Sequence, residues 1–70
     1  MQREQVSSSN IRSIGYELNS KTLEIEFRDG GIYQYFNVGS NIYNKMISAP
    51  SIGSFFHKYI KGKYNWQKVN

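Results

Sequence analysis

The stretch Ser51–Ile60, reading Ser-Ile-Gly-Ser-Phe-Phe-His-Lys-Tyr-Ile, limits what this chain can fold into more than any other. Ile52, Phe55, Phe56, Tyr59 and Ile60 recur at i, i+3, i+4, i+7 and i+8, the spacing of one helical face. Ser51 can cap its start by accepting a backbone N–H, and Pro50 bars continuation of an earlier helix. Gly62 suits the left-handed residue that closes a helix. Ser54, His57, Lys58 and Lys61 share the opposite face. The helix therefore turns aromatic rings toward a core and a basic stripe toward solvent.

A core to receive those rings must come from upstream. Thr22–Arg28 alternates Leu23, Ile25 and Phe27 with Glu24, Glu26 and Arg28, the pattern of a strand buried on one face and solvated on the other. Asp29-Gly30 predicts a type I′ hairpin turn. A third strand then spans Gly31–Asn37, with Tyr33 and Tyr35 on one face and Ile32, Gln34 and Phe36 on the other. The tyrosines are the better inward choice because Gln34 makes a poor core residue. That choice leaves Ile32 and Phe36 as an apolar patch beside Glu24 and Glu26. Before the hairpin, Asn10–Leu18 reads as a strand with Ile14, Tyr16 and Leu18 on one face. Gly15 within it implies a bulge or close approach by another element.

After Asn37-Val38-Gly39, Ser40 or Asn41 caps a first helix with Ile42, Tyr43, Met46 and Ile47 as its apolar stripe. The tail Lys63–Asn70 interleaves aromatic and basic residues, as a short edge strand or as an ordered extension over the helix. Residues 1–9, polar and serine-rich, read as a flexible leader, leaving 10–70 as a single domain. The expected class is α+β: a three-stranded antiparallel meander followed by two helices packed on one face, β-β-β-α-α. Its expected core holds Leu23, Ile25, Phe27, Tyr33, Tyr35, Phe55, Phe56, Tyr59 and Ile60.

Seventy residues leave room for one core, and eleven aromatic side chains help to fill it. Without cysteine there is neither a disulfide framework nor a thiolate zinc site. No apolar run has the length of a membrane span or the form of a signal peptide, so a cytoplasmic domain is expected. Chemistry is poorly supplied. His57 has no acid within helical reach, so it reads as a solvated or hydrogen-bonding residue and not as a base. Neither a metal-ligand spacing nor a phosphate loop is present, and no catalytic role, metal or cofactor is expected.

Charge points elsewhere. All five acids precede residue 30, where the balance is −1, whereas the rest of the chain carries five lysines and no acid. Such a segregated positive half suits a polyanion. Lys58, Lys61, Lys63, Lys68 and His57 are the candidates to hold phosphates, and Tyr64 and Trp66 the rings on which unpaired bases would stack. The competing reading has both rings completing the core and the lysines serving solubility. A rival function is protein association, as a homodimer or on a host protein, through Ile32 and Phe36 or an open strand edge.

The order and spacing of several short pieces resemble one family. These are Ser8-Ser9-Asn10-Ile11, Ile14-Gly15-Tyr16, Leu23–Phe27, Tyr33-Gln34-Tyr35, Ala49–Gly53 and Phe55–Tyr64. Together, over Val6–Tyr64, they resemble the KTSC domain, found at the C-terminus of some lysyl-tRNA synthetases and as small stand-alone bacterial proteins. The resemblance implies the β-β-β-α-α fold and leans toward RNA as partner, with single-stranded DNA the other strand that the lysines and rings would suit, and it brings no catalytic residue. Gly39 stands where the family usually has proline, and His57 where it usually has asparagine.

Overall fold

The computed structural model describes residues 1–70. A five-stranded antiparallel sheet runs in the order β1 (Glu4–Gln5), β2 (Ile11–Glu17), β3 (Thr22–Phe27), β4 (Ile32–Tyr35) and β5 (Trp66–Lys68). Between β4 and β5 the chain forms α1 (Ser40–Ile47) and α2 (Ile52–Phe55), the latter continued by a π-helical segment, Phe56–Ile60. The α+β class and both helices are as expected. The sheet, however, has five strands and not three. Both additions come from the termini: residues 4–5 pair with β2, and the aromatic–basic tail adds β5 to β4. β5 is the edge-strand alternative for the tail, whereas the two-residue β1 has too little periodicity to be read from sequence.

The core lies between one sheet face and the helices. Ile11, Ile14, Leu23, Ile25, Tyr35, Val38, Met46, Phe56 and Ile60 form it, with Phe27, Tyr33, Phe55 and Tyr64 packed against its margin. Ile11 and Ile14 are three residues apart, which in a regular strand would place them on opposite faces. A bulge at Arg12 restores them to the same core, because Ile11 pairs with Phe27 while Ser13 pairs with the adjacent Glu26. Tyr33 and Tyr35 do face the core side, opposite Ile25 and Leu23. Tyr16 stacks on Tyr43 at 4.7 Å, and its hydroxyl donates to the Val38 carbonyl. Leu18, expected on the buried face, is 63% exposed because the strand has already ended at Glu17.

Thr22–Arg28 departs from the expected one-sided strand. Glu24 is only 5% exposed, since the N-terminal segment crosses the second sheet face above it. Arg3 pairs with the Glu24 carboxylate, Gln34 Nε2 donates to it at 2.8 Å, and Ser13 Oγ donates to Glu26 at 2.8 Å. Gly15 makes this crossing possible. Directly opposite Glu24 in the ladder, a Cβ there would lie 2.6 Å from the Gln2 carbonyl and 3.0 Å from Arg3 Cγ. Ile32 and Phe36 are half-buried on this polar face, not an open apolar patch.

The hairpin after β3 also closes differently. Gly30 alone has positive φ, at 98°, so the connection is not type I′; Gly30 N–H donates to Phe27 O and Phe27 N–H to Gly31 O. At α1 the cap position is Gly39, with no side-chain cap bond from Ser40 or Asn41. The Ser51 cap is present, its Oγ accepting from the Ser54 N–H, and Gly62 is left-handed at φ 77°. No helix is long and apolar enough to cross a membrane.

Candidate functional site

The π-helical turn decides which way the basic stripe faces. Lys61 N–H donates to Phe56 O, five residues back, and closes a wider turn than an α-helix. Residues four apart stay aligned in such a turn, whereas those three apart fall out of line. Phe56 and Ile60 therefore both enter the core, while Tyr59, expected beside them, is 48% exposed and rests on Phe55 at 4.7 Å. By the same geometry His57 and Lys61 line one side together.

They line a groove between this helix and the β3–β4 hairpin. It starts in a polar cavity of about 610 Å³ among Ser7–Asn10, Arg28, the Pro50–Ser54 turn and His57. It passes Arg28, His57 and Lys61 over Phe27 and Phe56, and then reaches Tyr33, Tyr35 and Trp66. Beyond Tyr33 it ends beside Lys68 at the hairpin tip. The floor is a connected set of rings. Phe56 meets Phe27 at 5.3 Å and Tyr35 at 5.5 Å, both edge-on, and Tyr33 lies 5.5 Å from Phe27 and 5.5 Å from Trp66. Burial, and secondarily Tyr33 beside it, pushes the Tyr35 phenol up to about 12. Trp66 is 56% exposed, leaving ring surface open to the groove.

Cations line the groove walls. Arg28 Nε donates to the Ser8 carbonyl at 2.8 Å, and no carboxylate pairs with this guanidinium. The one acid in the groove, Asp29, spends an oxygen on the Gly31 N–H at 2.9 Å. No group of three or more His, Cys, Asp or Glu side chains is placed to hold a metal ion.

The candidates named from sequence thus fall into separate places. His57, Lys61, Trp66 and Lys68 line the groove. Lys63 and Tyr64 line a separate, smaller hollow with Phe36 and Asn37, and Tyr64 packs against the core margin. Lys58 lies outside both, with Nζ 5.5 Å from the Tyr59 ring centroid. The residue that sequence reasoning missed is Arg28, taken there as one more position on a solvated strand face. Its place just before the Asp29-Gly30 turn was the available signal, because a hairpin tip projects beyond the sheet.

Comparison with known proteins fits this architecture. The KTSC domain model matches residues 7–64. A crystal structure of a KTSC domain protein from Yersinia pestis superimposes with a TM-score of 0.96 at 46% identity, covering 99% of this chain and 97% of that one. A lysine–tRNA ligase from Trichormus variabilis is 39% identical over 62 residues, which is 89% of this chain but only 11% of the ligase. An uncharacterised protein from Stutzerimonas stutzeri is 33% identical over 64 residues and is covered to 90% of its own length, so relatives of this size also stand alone. With the family model matched over most of its length, the chain belongs to the KTSC domain family.

Proposed function

We propose that this protein is a non-catalytic binding module that holds single-stranded RNA in the groove between the β3–β4 hairpin and the π-helical segment. The observation that carries the reading is the half-exposed Trp66 ring at the end of an aromatic floor, flanked by Arg28, Lys61 and Lys68. Single strands are held by this combination: rings on which any base stacks, and cations that track the backbone. Relatives that carry the domain within a lysine–tRNA ligase act on an RNA, which favours RNA over DNA as the strand.

Trp66 is the sole tryptophan, so its fluorescence reports occupancy directly. Titration with a mixed-sequence single-stranded RNA at about 50 mM salt should quench it, and affinity should fall with salt at a log–log slope of about −0.7 for each phosphate neutralised. Contacts from the three groove cations Arg28, Lys61 and Lys68 would give a slope of about −2. Trp66→Ala, followed by anisotropy of a labelled strand, should weaken binding about 5- to 150-fold while the fold persists. A flat titration at low salt, or binding indifferent to salt, rejects the reading.

A further inference from the structure

The polar end of the groove has a chemistry of its own. Its cavity of about 610 Å³ is lined by hydroxyls, amides, Arg28 and His57, and no carboxylate enters it. We propose that this cavity is a phosphate pocket that takes the terminal phosphomonoester of the bound strand; this rests on the RNA-binding reading and adds where the strand ends.

Counting donors supports the assignment. Arg28 is anchored through Nε to the Ser8 carbonyl at 2.8 Å, which leaves both terminal Nη groups without a protein acceptor. Ser8 Oγ already accepts the N–H groups of Asn10 and Ile11, both at 3.3 Å. With its lone pairs taken, the Ser8 hydroxyl has a proton left to give. Ser51 Oγ donates to Ser54 Oγ at 3.0 Å, so the Ser54 hydroxyl in turn is free to donate outward. Gly53 also lines the cavity, and its position lies close to Ser8 Oγ, 3.4 Å from where a Cβ would sit. A positioned, unpaired guanidinium beside donors of this kind matches a phosphomonoester, which carries close to two negative charges and three strong acceptor oxygens. An internal phosphodiester offers only one charge and fewer free acceptor oxygens to the same set of donors.

The test compares one short RNA in unphosphorylated, 5′-phosphorylated and 3′-phosphorylated forms, read by Trp66 fluorescence. One phosphorylated form should bind about tenfold or more tighter than the unphosphorylated strand. Arg28→Gln should bring the affinities of the three forms together; the readout is the ratio between forms, because Arg28 also contributes to binding of the unphosphorylated strand. Ser54→Ala keeps the cap, which uses its backbone N–H, and should reduce the preference about threefold. Equal binding of the three forms overturns the pocket and leaves the RNA reading standing. Uridine monophosphate separates the two ideas from the other side. If no RNA binds but the mononucleotide shifts the amide resonances of Ser8, Gly53 and Ser54, and Arg28→Gln abolishes those shifts, the pocket stands and the RNA reading falls. No shift with the mononucleotide and no preference among the strands rejects the pocket.

Discussion

Glu24 lies across the ladder from Gly15, and the missing side chain there lets Arg3 reach its carboxylate. Burial alone would raise its pKa, but hydrogen bonds from Gln34 and Arg3 and the Arg3 charge prevail and hold it below the usual glutamate value. A depressed folded-state pKa means that the ionised carboxylate stabilises the fold above the unfolded value near 4.5, and that this contribution is lost as pH falls through the lower folded value. Glu24→Gln should therefore flatten the decline of stability below about pH 4.5, as urea melts at stepped pH would register. Gly15→Ala should push the crossing segment away, because the obstructing atom is a backbone carbonyl at 2.6 Å. Hydrogen exchange should then show lost protection at the β1 amides, with that of Leu23 and Ile25 retained. None of this was legible from alternation alone, which counts Glu24 as wet. A strand is read as one-sided only until another segment covers its second face.

At the scale of elements, the second helix was legible in nearly all but its winding. Its cap, its closing glycine and its buried Phe56 and Ile60 follow from the pattern Ser51–Gly62. The π-turn did not follow, since a single wide turn leaves the apolar spacing almost unchanged and alters mainly the direction of Tyr59. Substitutions distinguish the windings. Phe56→Ala should cost about 3–5 kcal/mol in a chemical melt, because its ring is wedged between Phe27 and Tyr35. Tyr59→Ala should cost far less, its ring being half in solvent, and Lys58→Ala should stay within about 0.5 kcal/mol of the parent. Equal costs for Phe56→Ala and Tyr59→Ala would mean that the helix is wound as an ordinary α-helix in solution.

Across the whole molecule, the groove is made by elements far apart in sequence: Arg28 on the hairpin, Lys61 at the end of the helix and Trp66 on the last strand. Charge-neutralising substitutions at Lys61 and Lys68 should each lower the salt slope of RNA binding by about 0.7, whereas Lys58→Ala should leave it unchanged. Local spacing by itself determined the main elements: the strands β2, β3 and β4, the two helices, the Ser51 cap, and that the rings Phe27, Tyr33, Tyr35 and Phe56 meet in or beside one core. Those are decided by near neighbours and by periodicity. Tertiary structure alone decided which cations share a surface, which carboxylate is covered and which aromatic ring stays open. Each of these depends on contacts between residues 20 or more positions apart, such as Arg3 with Glu24, Arg28 with Ser8 and Tyr33 with Trp66, and no local pattern encodes contacts of that range.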